Sequence, residues 1–167
     1  MSAGSSQTAT LQITVPSNAA PDYYGFRLFS ASTQGNTTSS TMIVVHVDEE
    51  HNVSYAFLDQ DNHFIPGQST NTSVQVSNVG NAEVDYVWHL NVASGPCIAA
   101  LNTASSSGVS PNVMVAVGMQ ISVHEEASNS DACDLMLHGT GTSNSEQHTT
   151  PMYEFTIDVD ELSLIHI

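Results

Sequence analysis

The residues of this chain that could do chemistry are two cysteines, eight histidines and 17 carboxylates. A nucleophile or a zinc ion needs partners held close together, and such sets often show as spaced motifs. No G-x-S-x-G occurs, and no H-E-x-x-H or C-x-x-C pairs His46, His51, His63, His89, His124, His138, His148 or His166. The histidines stand one at a time, and His89 and His138 read as outward positions on strands. No glycine-rich phosphate loop is present. The carboxylates gather in turns. Asp59-x-Asp61-Asn62 begins like a calcium loop, but its sixth position has no glycine and Thr70 stands at the twelfth. Asp48, Glu49 and Glu50 form a second acidic turn, and Glu125, Glu126, Asp131 and Asp134 lie in or near a later loop. These are hard oxygen donors, so calcium is the cation they could take. Asp48, Glu49, Glu50, Asp59 and Asp61 are the candidate ligands, at opposite ends of one module and so not one site. No catalytic set emerges, and the chain reads as non-enzymatic.

Composition narrows the partners. Arg27 is the one basic residue besides the histidines, and the formal net charge is −16. Such a surface repels phosphate backbones and anionic headgroups, which argues against nucleic acid and acidic membranes. No apolar run approaches the length of a membrane span, so membrane insertion is not expected.

The elements that must position these residues are strands. Period-two alternation recurs with Ser/Thr/Asn/Gly/Pro breaks and no sustained helical period. Leu11, Ile13 and Val15 alternate up to Pro16; Tyr24, Phe26 and Leu28 follow, then Ile43, Val45 and Val47. These predict three strands in residues 1–47, the last three strands of a partial sandwich. Tyr23 and Phe29 are placed to face outward. Residues 48–51 form an acidic joint. Residues 52–161 predict a complete module of about seven strands, the count of an immunoglobulin-like sandwich. Its alternating sets include Val53/Tyr55/Phe57, Val74/Val76, Val84 to Val92 around Trp88, Val113 to Val123, Cys133 to Leu137, and Tyr153 to Val159. A short edge strand could lie in SGPCIAALNTASSSGVSP. Residues 162–167 break the pattern and read as a non-native tail resembling adapter read-through. The first residues, MSAGSSQTAT, carry no signal-peptide pattern. The back-half look of residues 1–47 and the odd tail make the chain read as a fragment: an all-β, immunoglobulin-like β-sandwich preceded by the C-terminal part of another.

The turns are specific. Pro66-Gly67 suits the centre of a type II turn. Asn78 and Gly80-Asn81 suit a second reversal, through residues that tolerate left-handed backbone. Cys97 lies just past the strand carrying Trp88, and Cys133 opens a later strand. In this topology those strands are antiparallel neighbours in one sheet, so a Cys97–Cys133 disulfide is expected. It would close a loop of about 37 residues and stabilise by roughly 3–4 kcal/mol. Paired cysteines and Ser/Thr/Asn-rich turns suit an oxidising, extracellular or cell-surface setting.

PGQSTNTSVQVSNVGNAEVDYVWHL resembles the opening of CARDB-type (cell-adhesion-related) modules. It is also similar to the α-galactosidase-associated sandwich family of large secreted prokaryotic proteins. TLQITVPSNAAPDYYGFRLFSAS resembles the back half of the same modules, with Asp22 where the pattern has glycine. The likeness covers most of residues 8–92 and weakens after Gly95. It implies a repeated spacer or adhesion module whose partners are neighbouring sandwich domains, a surface protein or a glycan, and it carries no catalytic residues or cofactor. The alternative is a carbohydrate-binding accessory module, which would need an exposed aromatic platform.

Overall fold

The computed structural model describes residues 8–31, 38–57, 63–144 and 146–160. The chain divides into two compact units, Met1–Asp48 and Glu49–Ile167. Strands β1 (Asp22–Ala31) and β2 (Thr38–Val47) lie in the first. They pair antiparallel from Asp22↔Val47 to Ala31↔Thr38. The expected third strand around Leu11, Ile13 and Val15 does not form. Instead, Ile13 and Val15 line a shallow groove with Tyr24, Phe26, Val45 and Val47. The alternation there places side chains over the apolar face of the hairpin rather than adding a strand to its edge.

The second unit holds β3 (Val53–Phe57), β4 (Ser69–Asn78), β5 (Val84–Ser94), β6 (Cys97–Leu101), β7 (Ser105–Val109), β8 (Met114–Val123), β9 (Ala132–Ser143), β10 (Glu146–Thr149) and β11 (Tyr153–Asp158). One sheet runs β3-β4-β8-β6. The other runs β10-β9-β5-β7, with β11 also paired to β9. This is an immunoglobulin-like sandwich, with β7 as an extra strand along β5. β10 pairs with residues 140–143 of β9 and β11 with residues 132–137, so together they make one interrupted strand. Pro151, which lacks an N–H, stands at the break. Thr150 bridges it: its N–H donates to the Gly139 carbonyl at 2.8 Å, and its hydroxyl accepts from the Gly139 N–H at 2.7 Å.

Alternation builds the core. Val74, Val76, Val117, Met119 and Ile121 from one sheet meet Val84, Tyr86, Trp88, Cys133, Leu135 and Leu137 from the other. Each fully buried large apolar side chain contributes about 1.5–3 kcal/mol. Trp88 is 3 % exposed, and its indole N–H donates to Ser106 Oγ at 3.1 Å. The described residues of this unit hold more strands than the alternation counts, because β6 and β7 share the loosely patterned stretch after Gly95. Both are edge strands, and an edge of small residues needs few apolar positions.

The Pro66-Gly67 turn forms as the residue types dictate, with Gly67 at φ +74° and the Gln68 N–H donating to the Ile65 carbonyl at 3.1 Å. The 78–82 reversal works differently from the expectation, since none of Asn78, Gly80 and Asn81 adopts positive φ. Glycine is needed at 80 for close approach: a Cβ there would collide with the Glu50 carbonyl oxygen. The asparagines act through their side chains. Asn78 Nδ2 donates to the Ala82 and Val109 carbonyls, both at 2.8 Å, and Asn78 Oδ1 accepts from the Gly80 N–H at 3.0 Å.

Candidate functional site

Cys97 and Cys133 form a disulfide with Cα atoms 6.1 Å apart and a sequence separation of 36. The bond does not lie within one sheet, as the strand assignment implied. Cys97 opens β6 in the four-stranded sheet, and Cys133 lies in β9 of the other, so the sulfurs join the two layers through the core. Gly95 explains the difference. At φ +96° it turns the chain sharply after β5, so close to Ala132 and Cys133 that a Cβ would collide with the Ala132 carbonyl. The chain then crosses to β8 instead of continuing along β9.

Residues 49–52 enter the second unit as a pinned segment. The Glu50 N–H donates to Asn81 Oδ1 at 2.7 Å, the Asn81 N–H returns to the Glu50 carbonyl at 3.1 Å, and the Val79 N–H donates to the Asn52 carbonyl at 3.0 Å. The break in STNTSVQVSNVGNAEVDYVWHL is thus a socket for the incoming chain. Beside it Glu49 Oε2 lies 3.2 Å from His51 Nε2, and Glu49 Oε1 accepts a hydrogen bond from Asn144 Nδ2. The His51 ring stacks on His148, with centroids 4.0 Å apart and planes at 11°. His148 meets Tyr86 edge-on at 6.3 Å. Burial pushes the Tyr86 phenol up to about 12, with Tyr55 adding a smaller push.

The candidate calcium ligands sit as follows. Asp48 belongs to the first unit, where its carboxylate lies 2.9 Å from His46 Nδ1. Glu49 is engaged by His51 and Asn144, and Glu50 meets Asn81 through its backbone. Asp59 and Asp61 lie outside the described residues. Among the described residues no three His, Cys, Asp or Glu side chains converge as a metal site would require. Asp131 caps its own turn, accepting from the Ser128 N–H at 2.8 Å. Hydrogen bonds from Ser94 Oγ at 2.6 Å and Thr156 Oγ1 at 2.8 Å hold the Asp134 carboxyl below the usual carboxylate range.

Two histidine pairings escaped the sequence because their members are far apart in it. His89 and His138 face each other across β5 and β9 and stack at 5.0 Å, and His138 Nδ1 is buried. His51 and His148 stack from opposite ends of the module. No spacing rule links such residues before the strand register is known.

The first unit presents an aromatic face. Tyr23 and Phe29 are 70 % and 69 % exposed. They share one face of β1 with Arg27, opposite His46, Ser40 and Met42 of β2. His46 stacks on Tyr23 at 4.2 Å, and the Arg27 guanidinium lies 6.0 Å from the Phe29 ring centroid.

No family model matches the chain, and no curated protein matches it. Among solved structures, the chain is similar to the ASH / PapD-like domain of human CEP192 (PapD-like domain 7). The identity is 12 %, the match covers 67 % of this chain and 87 % of that chain, and the TM-score is 0.45.

Proposed function

We propose that this chain is a non-catalytic structural and interaction module of a larger secreted or cell-surface protein, a β-sandwich repeat of the CARDB type acting as a spacer between neighbouring domains. The observation that carries this reading is the disulfide between the two sheets. Structural disulfides belong to oxidising compartments. A bond that ties one layer to the other resists separation of the layers, which is what a spacer under load requires. The pinned entry at Asn78 and Asn81 supports the same reading, because it fixes the end through which a preceding domain would pull.

The test is forced unfolding of the chain held by its two ends, before and after reduction. A spacer gives a discrete rupture of the second unit. The sequence separation of 36 bounds the locked loop, so the contour gain should be short by roughly 120–130 Å until the bond is reduced. Gradual extension without a rupture would refute the mechanical role.

A second reading, carbohydrate binding, is favoured by the exposed Tyr23 and Phe29 on the face with Arg27. Aromatic faces provide stacking platforms for sugar rings. Affinity electrophoresis in soluble polysaccharides tests it. Retardation that disappears in Tyr23→Ala and Phe29→Ala supports it, and wild-type mobility equal to the polysaccharide-free gel removes it.

A further inference from the structure

His148 occupies an environment suited to a neutral ring and hostile to a charged one. The His51 ring covers it at 4.0 Å. The backbone of Gly141, its cross-strand partner, lies so close that a Cβ there would collide with Nε2 and Cε1. Neither His148 nitrogen has a hydrogen-bond partner among the described residues, and both are buried. His51 Nδ1 and the Tyr86 hydroxyl share that condition. The titratable groups facing the pair are Glu49, through His51 Nε2, and Tyr86, with Tyr55 behind it. A neutral imidazole here leaves one donor and one lone pair unused. An imidazolium leaves two N–H donors without acceptors, and the neighbouring His51 opposes its charge. A charge held away from water without a partner is costly, so the ring either stays neutral in place or takes up its proton by leaving.

We propose that the His51–His148 stack is an acid-released latch: protonation of the His148 ring drives it out of the stack and frees β10 from residues 140–143 of β9, baring that stretch of sheet edge. The direction of titration agrees. Burial, and then the neighbouring His51, hold His148 below the ordinary imidazole value, with Glu49 opposing them. A base depressed in the folded state contributes stability that is fully present above the unfolded value, about 6.5. That stability is lost as pH falls through it towards the folded value. Within that window, taking up one proton on opening raises the opening constant by up to about tenfold per pH unit.

The experiment is amide hydrogen exchange on the whole chain at about pH 7.5 and about pH 5.5, bracketing histidine titration, with rates divided by their intrinsic values. Protection of β10 should fall, by up to about tenfold, relative to β4 and β8, and His148→Gln should abolish that pH response. Unchanged β10 protection in the wild type, or the same loss in His148→Gln, overturns the proposal. Imidazole resonances of the native chain give a check that does not depend on any variant tolerating the change. The latch requires His148 to titrate together with the loss of β10 protection. A His148 ring that protonates while β10 stays protected overturns it.

Discussion

Reducing the Cys97–Cys133 bond, or replacing both residues by alanine, frees a loop whose ends are 36 residues apart. In the chain-entropy description the penalty at 25 °C is the product of temperature and 2.1 + 1.5R ln n cal/mol/K, which for this loop is about 4 kcal/mol. Each kcal/mol moves the midpoint of a domain of this size by about 4 °C, so the loss should be about 15 °C. The assay is differential scanning calorimetry of oxidised, reduced and doubly substituted chains, with thiol state fixed by alkylation and mass. Reduced and substituted chains should agree to within about 1–2 kcal/mol, the difference reflecting the buried sulfur contacts that alanine removes. A drop below about 4 °C in a chain shown to be fully reduced would refute the reasoning. It would mean that packing alone holds the layers and that the bond does not constrain the unfolded chain.

Asn78→Ala removes the donor to two buried carbonyls, Ala82 and Val109, and should cost about 2–4 kcal/mol in denaturant unfolding. Gly80→Ala sets a Cβ against the Glu50 carbonyl and should destabilise the second unit by more than about 2 kcal/mol; faster exchange of the Glu50 and Asn81 amides would locate the damage. Tyr23→Ala and Phe29→Ala should each change stability by no more than about 0.5 kcal/mol, since both side chains are largely exposed, so any effect on polysaccharide retardation would be one of binding. Calcium titration is expected to leave the His51 ring resonances in place, because a metal at Glu49 must displace both His51 and Asn144; a shift of those resonances would place the ion there.

Strand positions were legible because the core is built from unbroken alternation. Val84 to Val92 and the part of the Val113–Val123 run from Val115 on each show one face, and the layers follow; Val113 itself precedes β8 and is exposed. Pro66-Gly67 was legible because its chemistry is local. Gly80 was legible as a break but not in its cause, since the colliding atom belongs to Glu50, 30 positions earlier. Cys97 was placed in the wrong layer for a similar reason. Its pairing with Cys133 is expected from two neighbouring strands of one sheet; the bond forms, but between sheets, because the turn at Gly95 carries the chain to the other layer. The Ile13 segment shows the limit of periodicity, which reports that alternate residues are apolar and does not say whether the backbone joins a sheet edge or lies across its face. The histidine stacks needed the register itself.

The interruption at Pro151 bears on how copies of this module behave when crowded. A sheet edge invites pairing with a neighbouring chain in proportion to its straight, unpaired length. In the second unit β3, β6 and β7 have five residues each, and β10 and β11 offer a four-residue and a six-residue stretch split by a proline. Among the described residues each edge strand is too short or too broken to template a long foreign strand, although the central strands reach 12 residues. Edge-to-edge pairing between copies of the second unit is therefore disfavoured, as the proposed tandem spacer would require. In the first unit β1 and β2 have ten residues each and pair only with one another among the described residues. Any strand exchange between chains should begin there.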